Sequence, residues 1–206
     1  AFRVADLATL SWAFGTLGYR NIPMMEALAR EVTGRSWELT PTDLTKMLFG
    51  FAVLGLRHLP MMEAIVEEVR WKIEEFGAPG FAQLSWAFAT LSVPKQEMMA
   101  AIALQAMVRI EQFDAGHLAS MAWAFAALRF RHGRLMHAIA GEAARKIRSF
   151  DEEDLARVAW AFAALDLAPV ELTQLLVDEA SKRAAGSSRA AAAPPAGGRH
   201  RERRGW

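Results

Sequence analysis

Asp6-Leu7-Ala8-Thr9-Leu10-Ser11-Trp12-Ala13-Phe14 near one end of the chain and Asp154-Leu155-Ala156-Arg157-Val158-Ala159-Trp160-Ala161-Phe162 towards the other are two copies of one motif. Three more copies lie between them at a constant step. Trp12, Phe49, Trp86, Trp123 and Trp160 are each 37 residues apart, as are Phe14, Phe51, Phe88, Phe125 and Phe162, and Leu17, Leu54, Leu91, Leu128 and Leu165. The step also links Leu7, Leu44, Phe81, Leu118 and Leu155, then Leu28, Ile65, Ile102, Ile139 and Leu176, and between units Phe2, Leu39, Phe76, Phe113 and Phe150. No insertion or deletion interrupts this register, and five units fill nearly everything before the tail. Self-similarity at this period is the mark of a stacked repeat array.

Within a unit, Leu7, Leu10, Phe14 and Leu17 fall three and four residues apart, which predicts a helix A over about residues 5–17. Asp6 suits its positive N-terminus. Gly18 and Gly55 stand where a left-handed C-cap is wanted, and Pro23 and Pro60 open a second helix, B, that runs to Val32 and Val69. Met25, Leu28, Ala29 and Val32 give helix B one apolar face, with Glu26, Arg30 and Glu31 opposite. Leu10 through Leu17 is almost wholly apolar or small, so helix A is expected between helices of neighbouring units. Thr40-Pro41-Thr42-Asp43 and Asp151-Glu152-Glu153-Asp154 place a carboxylate three residues after an N-cap.

Strand signals are absent, and a pair of short helices cannot bury its own apolar faces. The fold class is therefore all-α: an α-solenoid of five helix-turn-helix repeats over residues 1–184. Residues 185–206 break the pattern with Gly186-Ser187-Ser188, four alanines, Pro194-Pro195, Gly197-Gly198 and an arginine-rich end, and are expected to form a disordered basic tail. Five units without polar caps should leave apolar stack ends, suited to neighbouring repeats, a docked partner or end-to-end contacts.

The chain has 206 residues, 53% hydrophobic and 23% charged, and a formal charge of +1. Five arginines and one glutamate of residues 185–206 carry +4 of it, which leaves the array at −3. Any basic surface for nucleic acid must then be local. Cysteine is absent, which removes disulfides, thiolate nucleophiles and thiolate metal sites. The longest apolar stretches, Met98–Val108 and Leu118–Leu128, are too short to span a bilayer. The sequence opens directly on structural pattern, so a processed chain or a fragment is expected, with any targeting segment upstream.

His58, His117, His132, His137 and His200 lack metal-ligand spacing, and no phosphate-cradling glycine loop or nucleophile elbow occurs. The acidic runs at Glu74-Glu75 and Asp151–Asp154 read as solvated helix caps. With no clustered acid, base or nucleophile, the expectation is a binding protein without catalytic residues, metal or cofactor.

Core columns of a solenoid must agree, so functional columns are sought where the repeats differ. Thr9, Lys46, Gln83, Ser120 and Arg157 form such a column in helix A, polar each time and different each time. Three residues earlier stand Asp6, Asp43, Gly80, His117 and Asp154. Four and seven residues later come Ala13, Gly50, Ala87, Ala124 and Ala161, then Thr16, Val53, Thr90, Ala127 and Ala164, read as a smooth floor that a ligand can approach. One variable polar residue per unit is what modular RNA readers present to successive bases. The plainer reading is that this row is only the exposed edge of helix A. The Trp series is read as inter-repeat core in preference to base stacking, the Phe series as core, and Met24-Met25, Met61-Met62 and Met98-Met99 as core filling. Arg199, Arg201, Arg203 and Arg204 are candidates for nonspecific phosphate contact.

The Trp-Ala-Phe core resembles the heptatricopeptide and octotricopeptide repeat families over about residues 2–184, and the period favours the former. The Pro-Pro-Pro-Glu-Trp signature of the octotricopeptide class does not occur. These families, with the FAST-kinase-like and RAP-domain proteins they are similar to, are organellar α-solenoids of RNA processing, stability and translation. A RAP domain, which often follows such repeats, is not visible in this sequence. The resemblance implies a mitochondrial or plastid protein that binds single-stranded RNA, with one base per repeat at the helix A row. The alternative is a structural scaffold that holds protein partners in an organellar ribonucleoprotein assembly such as a ribosome, which the near-neutral array suits.

Overall fold

The computed structural model describes residues 2–167 and 169–192, without the side chains of 170 and 184–192. All secondary structure among them is helical. The A helices are α1 (Val4–Thr16), α3 (Pro41–Val53), α5 (Ala78–Thr90), α7 (Ala115–Ala127) and α9 (Glu152–Ala164). The B helices are α2 (Ile22–Thr33), α4 (Leu59–Trp71), α6 (Gln96–Val108), α8 (Gly133–Arg145) and α10 (Val170–Ala192). Every start is 37 residues after its predecessor, and so are the 3₁₀ turns Ser36–Glu38, Ile73–Glu75, Ile110–Gln112 and Ile147–Ser149 that lead to the next unit. Those turns carried no sequence signal that we read.

The A-to-B reversal is one motif used five times. The amides of Tyr19, Leu56, Val93, Phe130 and Leu167 donate back to the carbonyls of Phe14, Phe51, Phe88, Phe125 and Phe162, which closes the six-residue ring of a Schellman cap. The Phe series is thus fixed as core by its place in the cap, and Phe14–Tyr19 and Phe125–Phe130 supply the accompanying apolar contact at 5.5 and 5.7 Å between ring centroids. Gly18 and Gly55 take the left-handed residue at φ 62° and 63°, as expected. Ser92, Arg129 and Asp166 hold the same conformation without a glycine, at φ 51°, 52° and 52°. N-caps follow the sequence reading at Thr40, whose capping box with Asp43 is complete, and at Asp151. His58 and His132 do the same work for α4 and α8, each accepting from the amide three residues on.

A helices pack on A helices and B helices on B helices, with the core between the two layers. The alanines expected to form an open floor lie in the A–A contacts: Ala87, Ala124 and Ala161 are buried, and Gly50 is enclosed. A methyl on Gly50 would stand 2.2 Å from the Ser11 carbonyl oxygen, and one on Gly15 would stand 2.8 Å from the Gly50 Cα. Ser11 Oγ donates to the Met47 carbonyl across the same contact at 3.1 Å. Small residues at this column let the backbones approach, so they are the joint and not a floor. Only the row seven residues on, Thr16, Val53, Thr90, Ala127 and Ala164, is exposed.

Successive junctions are tied by a cation that recurs at the repeat period. Lys72 donates to the Trp37 and Leu39 carbonyls, Arg109 to Glu74 and Phe76, and Lys146 to Glu111 and Phe113. Arg35 and Arg183 repeat the reach, to Phe2 and Phe150. In four units a glutamate one helical turn earlier orients the cation, at 2.9 Å for Glu31–Arg35 and Glu68–Lys72, 2.8 Å for Glu142–Lys146 and 3.0 Å for Glu179–Arg183. Burial alone would raise the Glu142 carboxyl, but hydrogen bonds from Lys146 and Arg145 overcome it and hold it below the usual range.

One expectation changes at the ends, and one is met at the first unit, whose stack end is apolar. Helix α10 continues to Ala192, past the boundary drawn at residue 184, because Arg183-Ala184-Ala185 and Arg189 through Ala192 are strong helix formers that outweigh Gly186-Ser187-Ser188. The rest of the predicted tail, with Arg199, Arg201, Arg203 and Arg204, lies outside the described residues. At the first unit Phe2 is 75% exposed, whereas its equivalents Leu39, Phe76, Phe113 and Phe150 are buried. Phe2, Leu10, Met24 and Leu28 line an open apolar groove there.

Two substitutions test this account. Lys146→Met leaves the buried Glu142 carboxylate with Arg145 as its one cation and strands the Glu111 and Phe113 carbonyls, and should lower unfolding free energy by about 2 kcal/mol in urea denaturation; a loss under about 0.5 kcal/mol would refute the tie. Gly50→Ala installs the residue that every other unit carries at this column, yet should destabilise by about 1–2 kcal/mol, because overpacking outweighs the gain in helix propensity. A more stable Gly50→Ala protein would show that α1 and α3 are not that close.

Candidate nucleic-acid interface

With the alanine column turned inward, each A helix exposes positions related by steps of four, three and four. In the third unit these are Pro79, Gln83, Trp86 and Thr90, and in the fifth Glu153, Arg157, Trp160 and Ala164. The predicted polar row and the Trp series therefore lie on one outer face, one helical turn apart.

Trp12 is 44% exposed and Trp160 49%, while Phe49, Trp86 and Trp123 are half-buried. At Trp12 and Trp160 the assignment to the inter-repeat core is thereby corrected, whereas Trp86 packs against the core as expected. On a helix a three-residue step turns the side chain by about 300°, and the core positions were already taken by the Phe series and the alanines. Phe49 and Trp86 come within 5.7 Å of each other, centroid to centroid, where α3 and α5 pack less extensively than the other A pairs.

The polar row is contiguous. Lys46 Nζ donates to Thr9 Oγ1 at 3.4 Å, which links the first two units. Gln83, His117, Ser120 and Arg157 line one groove of about 360 Å³ together with Phe49 and Trp86. Four successive A helices contribute to it, and Trp123 joins Trp86, Ser120 and Arg157 in a smaller recess alongside. Hydrogen-bonding groups of different reach and aromatic surface thus meet in a channel that runs across the repeats.

The second predicted column is mostly committed to helix starts. Asp43 is buried in its capping box with Thr40. Asp6 is paired with Arg3 at 2.8 Å, and that guanidinium holds its carboxyl below the usual range. His117 receives the cap from Asp114 through its amide and places Nδ1 3.0 Å from Asp114 Oδ1, at the groove's edge. Asp154 lies 3.8 Å from Arg157, which is also paired with Glu153. Burial, then the neighbouring Asp151 carboxylate, raises the Asp154 carboxyl above its ordinary value, with Glu153 and Asp114 adding to the repulsion. Among these candidates, Gln83, Ser120, Arg157 and His117 are brought together. Thr9 and Lys46 lie further along the face, and Asp6 and Asp43 are taken up by local pairs.

No group of three or more metal-ligating side chains occurs among the described residues, and no described helix is long and apolar enough to cross a membrane.

The strain on Asp154 has a sign. A carboxyl raised in the folded state weakens the fold once pH rises above its unfolded value, because ionisation is then disfavoured only in the native protein. Asp154→Asn should therefore be more stable than the wild type near pH 7, and the two should converge as pH falls through the carboxylate range, as measured by urea denaturation. A constant offset at all pH values would contradict this origin.

No curated protein matches the chain. Residues 1–185 match the family described as RNA-editing substrate-binding complex 6 protein. The heptatricopeptide and octotricopeptide likeness rests on the motif and period alone. A match that spans all five repeats assigns the chain: it belongs to the RNA-editing substrate-binding complex 6 protein family.

Proposed function

We propose that this protein binds single-stranded RNA on the outer face of its A helices, as a non-catalytic component of an RNA-editing type of ribonucleoprotein complex in an organelle, the mitochondrion before the plastid. The family's description points to RNA-editing substrates and to a complex. The observation that carries the reading is the groove in which Gln83, His117, Ser120 and Arg157 of successive units meet beside Phe49 and Trp86. Bases stack on any aromatic face and are sorted by hydrogen bonds, and this groove supplies both. In this reading Thr9, Lys46, Gln83, Ser120 and Arg157 each face about one base, and the aromatic series holds the bases in file.

A scaffold role has its own support in the apolar groove at the first unit, which suits a helical protein partner or another repeat docked end to end. The two roles separate in one experiment with the full chain. Trp86→Leu, which keeps an apolar side chain at this half-buried position but removes the stacking platform, should weaken binding to single-stranded RNA about tenfold in fluorescence anisotropy, with the protein still fully folded in the absence of urea. Gln83→Ala should change the ranking of the four homopolymers. Wild-type protein that binds no RNA at micromolar concentration would sink the RNA reading and leave the scaffold.

A further inference from the structure

Net charge conceals a division between the two edges of the array. The five A-to-B turns, residues 17–21, 54–58, 91–95, 128–132 and 165–169, contain Arg20, Arg57, Lys95, Arg129 and Arg131 and a single carboxylate, Asp166. The first turns of the B helices add Arg134, Glu97 and Glu171, which leaves this edge basic. The opposite edge has six acids against five bases in its junctions, residues 34–40, 72–77, 109–114 and 146–151, and the A-helix starts that adjoin it bring Asp6, Asp43, Glu152, Glu153 and Asp154. Its cations that recur at the repeat period, Arg35, Lys72, Arg109 and Lys146, are already bonded to backbone carbonyls.

The free cations sit on the other side. Arg20, Arg57, Arg129 and Arg131 are exposed, and among the described residues none of them forms an ion pair, the nearest tie being Arg131 Nη2 to the Asp166 carbonyl at 3.0 Å. Arg129 and Arg131 of the fourth unit also share one recess, of about 630 Å³, with Trp160 of the fifth. Arg129 occupies there the left-handed position that glycine fills in the first two units and Ser92 and Asp166 fill in the third and fifth, at φ 52°. The same register pairs Arg20 with Phe49 and Arg57 with Trp86: a turn cation of one unit and the aromatic of the next.

We infer that the A-to-B edge is a phosphodiester track, and that Arg129, Arg131 and Trp160 form a nucleotide site in which the guanidinium groups hold the backbone phosphates and the indole stacks the base. This rests on the RNA reading above and gives it a direction. The strand runs along the array with its bases on the A-helix face and its phosphates towards the A-to-B turns, away from the acidic edge. It also resolves how an array of net charge −3 can hold a polyanion, and why Arg157, paired with Glu153, is suited to a base more than to a phosphate.

The test is the salt dependence of RNA binding by the full chain, with single-stranded homopolymers of about ten nucleotides. Each phosphate neutralised on a single strand contributes about 0.7 to the slope of log affinity against log salt. The double variant Arg129→Gln/Arg131→Gln should lower that slope by about 1.4 and weaken all four homopolymers alike. Trp160→Ala should weaken binding about tenfold and leave the slope unchanged. Arg20→Gln/Arg57→Gln, at exposed residues without a partner, should reduce the slope in the same way and covers the case in which loss of the Arg131–Asp166 bond unfolds the fifth unit. Wild-type binding with the slope intact in both arginine pairs overturns the track and leaves the RNA reading standing. Absence of wild-type binding at low salt overturns both.

Discussion

The reach of one cation back to the junction of the preceding repeat is the interaction on which the stack depends. A two-helix unit cannot close its own core, so its stability comes from neighbours, and neighbours stack in one register only if their junctions are held at a fixed spacing. Arg35, Lys72, Arg109, Lys146 and Arg183 provide that spacing by satisfying linker carbonyls that water would otherwise compete for. The third unit, with Gln105 in place of the glutamate, departs from the pattern, and its Arg109 lies 5.9 Å from the centre of the Phe81 ring instead.

With the junctions fixed, the A helices have little freedom. Their alanine and glycine column comes together, closest at Ser11, Gly15 and Gly50, and the Phe series is pinned by the Schellman caps. What is left outside is a strip that carries one polar and one aromatic residue per unit. The Phe and Leu columns that pack are nearly uniform, and the polar column of the strip differs from unit to unit. Because every A helix runs the same way, all its starts lie on one edge and all its ends on the other. Carboxylates are favoured at helix starts, so the acids collect on the first edge and the turn arginines are left unopposed on the second.

Much of this was legible in the residues. Period, unit number, helix limits within a residue or two, the left-handed glycines and the Thr40–Asp43 box all follow from local rules, and local rules are repeated five times here without a break. The polar row lies on the outer face, with Thr9 and Gln83 exposed and Lys46, Ser120 and Arg157 half-buried. Trp12 and Trp160 were misplaced because an aromatic at helical spacing obeys the same pattern whether it lies under a joint or beside it. The alanine column was taken for an open floor because small residues permit close approach by a ligand or by a backbone, and the sequence does not say which. The cation column was there to be read, five basic residues at the repeat period with a glutamate four residues before four of them, but a charged column is usually a solvated face. Only its bonds distinguish it.

The sequence by itself determined that the chain is a five-unit helical array, because periodicity, caps and turn residues act over a few residues and need no partner. Tertiary structure decided which side of helix A meets solvent, which cations are spent on carbonyls and which remain free. Those outcomes depend on the distance between residues 37 apart, and that distance is set by how closely the A helices pack and not by any property of a single unit.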